Sequence, residues 1–297
     1  MYITNNMNSI KNINKENIIK ILSKAKQFKE NDERNLSLQD KIFGLLFFEP
    51  STRTCLSFES AIHRLGGKII KYNSDYSSQK KGESIEDTIR TIDAYVDVFI
   101  IRHPEKNIIE KISKFTNKPI INAGDGSGEH PTQALLDLFT INDIPKHVAF
   151  TGDIKYSRTI HSLVYLITKF NNDTIFYFIS DEKLEPSGDF RDFIDNIDNK
   201  YVILNELDSI IDCIDVLYAT RLQKERFNGE IVNNIIINKD TIKNSKESLI
   251  IMHPLPRNEE LSTDLDNDKR SKYFEQVKNG VYVRMAIIDF VMNSYLV

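Results

Sequence analysis

Residues 41–72 read KIFGLLFFEPSTRTCLSFESAIHRLGGKIIKY. The opening run, KIFGLLFF, is apolar on both faces of an extended chain, the pattern of a strand covered on both sides. Glu49-Pro50 ends that run, and Ser51-Thr52-Arg53-Thr54 opens a segment whose apolar residues recur at three- and four-residue steps, as an amphipathic helix requires. KIIKY (68–72) then supplies a second short strand. Strand and helix in alternation imply an open, doubly wound parallel sheet.

Outward from this stretch the alternation persists. VDVFII (96–101), KPIIN (118–122), HVAFTGD (147–153), DTIFYFI (173–179), KYVIL (200–204), DVLYAT (215–220) and SLIIMH (248–253) read as buried parallel strands, while SIEDTIRTIDAYV, PTQALLDLFTIND and SRTIHSLVYLITKF carry helical spacing. About four strands precede the helix at 131–143 and about five follow it, which favours two sheets of similar size. The expected architecture is α/β: two doubly wound parallel-sheet domains, 1–143 and 144–280, joined by that linking helix. The closing segment GVYVRMAIIDFVMNSYLV has helical spacing, and 281–297 is expected to return to the first domain. ERFNGEIVNNIIINKDTIKNS (225–245) has weak periodicity and reads as a surface loop near a site.

The 297 residues include 39 Lys+Arg against 43 Asp+Glu, a net charge of −4. That balance argues against a broad basic face for nucleic acid, so any anion must be met by local cations. Cys55 and Cys213 form no CxxC, leaving no material for a zinc ribbon or a disulfide framework. The N-terminal stretch lacks an apolar signal core, and no run approaches the roughly 18 apolar residues of a membrane span. A soluble chain of the reducing cytoplasm, with neither membrane nor nucleic-acid partner, is expected. Six scattered histidines without HExxH spacing argue against a metal centre, and Ser–His–Asp catalysis lacks a nucleophile elbow.

What the chain does offer is a set of cations at strand ends. At FFEPSTRT, helix-start amides, the hydroxyls of Ser51, Thr52 and Thr54 and the Arg53 guanidinium can converge on a phosphate without a glycine-rich loop. Taken alone, the same residues also fit plain N-capping with a solvated Arg53. SSQKKGES (77–84) sets Lys80 beside Lys81, which suits either an exposed loop or an anion. Arg102 directly follows VDVFII, at the carboxyl edge where open α/β sheets bind ligands. In INAGDGSGEHPTQALLDLF the spacing of Gly124, Gly126 and Gly128 is GxGxG, and Asp143 precedes the next strand where a ribose-binding acid should end it, so a dinucleotide loop fails on register. His130 and Gln133 begin the following helix, His130 either as a core histidine or beside a ligand. Arg158 opens the helix after HVAFTGD; Arg221 follows DVLYAT, with Gln223 two residues on. HPLPR (253–257) is extended and short of N–H donors, while its carbonyls stay available. Arg53, Arg102, Arg158 and Arg221 come from different strand ends that one cleft can collect. Such a set positions anions and stabilises an oxyanion without covalent catalysis or a cofactor.

With these motifs in this order, the chain resembles the catalytic chains of the aspartate carbamoyltransferase family along nearly its whole length. FFEPSTRT, KKGES, RHP, NAGDGSGEHPTQALLDLFTI, GDIKYSRTIHSL, TRLQKERF and HPLPR carry the resemblance. It implies two α/β domains with a returning C-terminal helix, a homotrimer with shared active sites, and carbamoyl transfer from carbamoyl phosphate to L-aspartate in pyrimidine biosynthesis. It implies that Ser51, Thr52, Arg53 and Thr54 hold the phosphate and that Arg53, Thr54, Arg102 and His130 surround the carbonyl oxygen. Gln133 and the backbone carbonyls of Leu255 and Pro256 would take the amino group. Arg158, Arg221 and Gln223 would bind aspartate, Lys81 would reach both substrates, and Ser77 and Lys81 would arrive from a neighbouring subunit. Glu49 would pair across the domains with Arg158 and Arg226 on closure. Ornithine carbamoyltransferases share the STRT loop but carry a cysteine at the position where Pro254 stands, and Lys81 and TRLQ also favour aspartate. The loop after Arg226 is shorter than in the best-known bacterial form and PEKNIIEK (104–111) diverges, which leaves a regulatory chain as an open partner.

Overall fold

The apolar run at the start of the quoted stretch is β1 (Ile42–Phe47), buried at every position between its ends. α2 (Thr52–Arg64) follows and buries Thr54, Phe58, Ala61 and Ile62, one face of a 3.6-residue period. β2 (Lys68–Asn73) then pairs parallel with β1. The structure, a computed structural model, describes residues 6–31, 37–73, 82–223, 232–233 and 235–295. It divides into two units, Met1–Leu136 with Lys278–Val297, and Asp137–Val277.

In unit 1, β3 (Val98–His103) and β4 (Ile120–Asp125) complete a four-stranded parallel sheet in the order β2-β1-β3-β4. The helices α3 (Ile85–Asp93) and α4 (Ile108–Ile112) lie between its strands in the chain. α1 (Lys15–Asn31) precedes the sheet and buries Ile18, Ile21, Ala25 and Phe28. Ahead of it, Met7 bridges Ile121 in parallel, and the Glu129 carboxylate accepts from the Ser9 hydroxyl and the Ile10 amide.

In unit 2, β5 (His147–Thr151), β6 (Ile175–Ile179), β7 (Tyr201–Leu204), β8 (Val216–Ala219) and β9 (Ile250–Met252) form a parallel sheet in the order β7-β6-β5-β8-β9. The helices α6 (Arg158–Ile167) and α7 (Gly188–Asp195) intervene in the chain. Phe150, Phe176 and Phe178 pack with centroids 5.7 to 6.3 Å apart, and truncating one such ring costs about 3–5 kcal/mol. The chain passes between units along α5 (Pro131–Ile141) and α8 (Tyr273–Tyr295). Beyond Lys278, α8 belongs to unit 1, where Arg284 lies over the Phe58 ring and Tyr282 under the Arg64 guanidinium.

Two expectations are corrected. α8 begins at Tyr273, ahead of Gly280, because the buried face of its opening turns includes Gln276 and Asn279, which hydropathy alone does not mark. Within 225–245, Ile237 and Ile242 are fully buried core residues, Ile237 bridging Leu261, and they are not part of a surface loop. Residues 224–231 and 234 of that stretch lie outside the described residues.

Candidate active site

From β1 the sheet of unit 1 grows to β2 on one side and to β3 on the other, so the carboxyl ends of β1 and β3 flank a topological switch point. Glu49 follows β1 and Arg102 lies at the end of β3, with Arg102 Nε 2.7 Å from Glu49 Oε1 and side chains only 15% and 22% exposed. Ser51 is the N-cap of α2, yet its side chain makes no hydrogen bond to its own helix, whereas Ser84 at the start of α3 accepts from the Asp87 amide. Helix-start amides not taken by their own cap are open to an anion. Thr52 and Arg53 are exposed there and Thr54 is buried.

The glycine-rich turn after β4 serves close approach. Gly126 has φ +50°, and a Cβ there would lie 2.5 Å from the Pro104 carbonyl oxygen. Its N–H donates to the His103 carbonyl at 2.8 Å, so the turn lies on the RHP segment. From it emerges His130, buried, with Nε2 3.4 Å from Thr54 Oγ1 and Nδ1 3.4 Å from Thr132 Oγ1. Hydroxyls both donate and accept, so neither imidazole tautomer is excluded. Gln133 is buried in the first turn of α5.

The second sheet has the same plan. It grows from β5 to β6 on one side and to β8 on the other. At the end of β5, Gly152 has φ +100°, and a Cβ there would lie 2.1 Å from the Thr220 carbonyl oxygen at the end of β8. That approach sets Asp153, fully buried, where it accepts from the Tyr156 amide at 2.9 Å and from Gln223 Nε2 at 3.1 Å. Arg158 opens α6 behind Ser157, a second serine N-cap whose side chain caps no backbone amide and pairs instead with the Thr159 hydroxyl at 3.1 Å. Arg221 follows β8 and donates from a guanidinium nitrogen to the Leu222 carbonyl at 3.4 Å. Leu255 and Pro256 follow the neighbouring β9, joined by a cis peptide bond, with Leu255 at φ +54°.

Each sheet thus gathers its own set: Glu49, Ser51 to Thr54, Arg102, His130 and Gln133 in unit 1, and Arg158, Arg221 and Gln223 in unit 2. Glu49, expected to pair with Arg158 and Arg226 when the domains close, also lies against Arg102 of its own unit. Ser77, Lys81 and Arg226 lie outside the described residues. The sequence reading missed Asp153, whose only signal was an acid directly after a glycine at a strand end. Among the described residues no group of His, Cys, Asp and Glu could hold a metal ion, and no helix is long and apolar enough to cross a membrane.

The sequence model of the aspartate/ornithine carbamoyltransferase carbamoyl-P binding domain matches residues 5–143, and that of the Asp/Orn binding domain matches 145–291. The chain belongs to the aspartate/ornithine carbamoyltransferase family. It is 44% identical over 294 residues to the aspartate carbamoyltransferase catalytic subunit of Methanocaldococcus jannaschii, covering 94% of this chain and 95% of the relative. To the Vibrio campbellii catalytic subunit it is 40% identical over 300 residues, 97% of this chain and 96% of the relative. The crystal structure of Trypanosoma cruzi aspartate transcarbamoylase with N-(phosphonacetyl)-L-aspartic acid superposes with a TM-score of 0.88 at 36% identity, covering 96% of this chain and 95% of that one. The same enzyme with carbamoyl phosphate and aspartate gives 0.87 at 36% identity, over 96% and 94% of the chains. Both switch points of this carbamoyltransferase therefore belong to a family whose members handle carbamoyl phosphate and an amino acid.

Proposed function

We propose that this carbamoyltransferase moves the carbamoyl group of carbamoyl phosphate onto the α-amino group of L-aspartate, giving N-carbamoyl-L-aspartate and phosphate, the opening chemistry of pyrimidine synthesis. The observation that carries the reading is the convergence at one switch point of an uncapped helix start, Thr54, His130 and Arg102. Residues 1–143 form the carbamoyl phosphate domain in this reading and 144–280 the aspartate domain.

Ser51, Thr52, Arg53 and Thr54 hold the phosphate. Arg53, Thr54, Arg102 and His130 face the carbonyl oxygen, and the amino group donates to Gln133 and to the carbonyls of Leu255 and Pro256. Arg158 and Arg221 take the aspartate carboxylates beside Gln223, which Asp153 orients. Two unit charges 4 Å apart at a protein surface interact by about 4 kcal/mol, so a phosphate and two carboxylates meet only among several cations. The amine attacks the carbamoyl carbon, the new C–N bond forms, and negative charge grows on the carbonyl oxygen facing Arg53, Arg102 and His130. The C–O bond to phosphate then breaks, and the departing phosphate accepts the amine proton, so no protein base is required.

The catalytic unit in this reading is a cytoplasmic homotrimer in which Ser77 and Lys81 serve the neighbouring subunit's site, with a separate regulatory chain left open as a partner. Random reassembly of inactive Arg53→Ala and Lys81→Ala chains should then restore roughly one quarter of wild-type activity, because each mixed ring holds one intact junction. Recovery absent from verified mixed trimers refutes sharing. The reaction itself is tested by offering carbamoyl phosphate with aspartate or ornithine. Carbamoyl aspartate should form and citrulline should not; the reverse would overturn the assignment.

A further inference from the structure

The segment after β9 is tied down by side chains that the reaction as described leaves without a task. At its start stands His253, whose side chain is fully buried. Its amide donates to Gln276 Oε1 of α8 at 3.1 Å, and Gln276 Nε2 donates to Asp137 Oδ1 of α5 at 2.6 Å. The other Asp137 oxygen accepts from the Tyr218 hydroxyl of β8 at 2.8 Å. Both nitrogens of the His253 ring are engaged: Nδ1 accepts the Leu255 N–H at 2.8 Å, and Nε2 lies 3.0 Å from Glu260 Oε1.

A ring nitrogen that accepts from an amide carries no proton, so the proton sits on Nε2 and is donated to Glu260. The same Glu260 oxygen accepts the Asn258 N–H at 2.8 Å, so a single carboxylate, 2% exposed, closes the segment from both sides. Burial pushes the Glu260 carboxyl up, and the hydrogen bonds from His253 and from the Asn258 and Glu260 amides outweigh it, holding the group below the ordinary glutamate value as an anion. Leu255, at φ +54°, adopts a conformation that non-glycine residues rarely hold unaided, and its N–H is the group that His253 grips.

We infer that Glu260, acting through the tautomer of His253, is a positioning residue for the carbamoyl group: it fixes the Leu255 amide and thereby aims the Leu255 and Pro256 carbonyls at the substrate amino group. The inference rests on the role given above to those two carbonyls. Without the Glu260 acceptor, the buried His253 Nε2–H and the Asn258 N–H lose their partner, and the imidazole is free to carry its proton on Nδ1, where it would face the Leu255 N–H donor to donor. Gln at 260 keeps an oxygen for both donors. Asn at 253 keeps an acceptor for the Leu255 N–H, and Leu at 253 removes it.

The test separates the carbamoyl group from the phosphate. In Glu260→Ala, kcat/KM for carbamoyl phosphate should fall about 30- to 100-fold, through both a higher KM and a lower kcat, while the inhibition constant of inorganic phosphate stays within about twofold. Glu260→Gln should remain within about threefold of wild type in all of these, because both hydrogen bonds survive. Equal kinetics in the two variants, or phosphate affinity lost in step with carbamoyl phosphate, would overturn the inference. Should Glu260→Ala not fold, the comparison moves to His253, where Asn should retain about tenfold more kcat/KM for carbamoyl phosphate than Leu, and parity would overturn it. A wild-type chain that transfers no carbamoyl group to aspartate would instead sink the functional reading.

Discussion

At the ends of β1 and β3 the candidate residues touch one another, Thr54 with His130 and Arg102 with Glu49. At the ends of β5 and β8 they touch their surroundings, Gln223 against Asp153 and Arg221 against the Leu222 carbonyl. The framework is the same in both: a switch point, a glycine whose missing Cβ lets two loops meet, and a serine at a helix start whose side chain does not cap its own helix. In the proposed reaction the two sets face different ligands. A phosphate and a nascent oxyanion on one small group need donors focused on one point, whereas two carboxylates separated along an amino acid need cations set apart and steadied individually.

That contrast is broken most severely at Arg53. Arg53→Ala should lower kcat by about 10² to 10³, the usual loss for a donor to a developing oxyanion. Arg221→Ala should raise the KM for aspartate by about 10- to 100-fold with a much smaller change in kcat, since in the proposed reaction the carboxylate it binds lies away from the bonds being made. Steady-state kinetics showing the opposite pattern would exchange the roles of the two sheets.

The strand-end cations were legible because a βα alternation fixes where each strand ends, and Arg53, Arg102, Arg158 and Arg221 sit at those points in the sequence. The contacts that hold them were not. Asp137, Gln276, His253 and Glu260 form one network from positions 137 to 276, and only the folded sheet makes them neighbours. The Met7–Ile121 bridge has the same cause, as does the burial of Ile237 and Ile242 within an asparagine-rich stretch that masks them.

The shared framework is sharpened by Gly126→Ala and Gly152→Ala. Each forces a side chain into a left-handed backbone against a carbonyl oxygen, at 2.5 Å in unit 1 and 2.1 Å in unit 2. Each should destabilise its unit by roughly 2–4 kcal/mol, measured as a lower thermal midpoint, with Gly152→Ala the larger. Equal stability to wild type would show that the two loops need not meet.

A smaller effect separates the units by pH. Hydrogen bonds from Arg257 and Tyr273 hold Asp266 at about 2, and hydrogen bonds from Arg270 hold Asp268 at about 2. Groups depressed on folding stabilise above their unfolded value and lose that contribution as pH falls through the folded one. Glu129 is opposite: burial raises it, so its contribution is full below the unfolded value and is lost as pH rises through the folded value. Hydrogen exchange corrected for intrinsic rates should therefore show protection around 266–270 weakening between about pH 4 and pH 2 while 125–131 holds. Parallel loss in both segments would remove this distinction.

That residues of both sheets serve one substrate pair is tested most directly by calorimetric titration with N-(phosphonacetyl)-L-aspartate, the ligand of one Trypanosoma cruzi structure. A molecule spanning both sets of cations should bind at least about 10²-fold more tightly than inorganic phosphate and should lose affinity in both Arg53→Ala and Arg221→Ala. Affinity no better than that of phosphate, or affinity indifferent to Arg221→Ala, would contradict it.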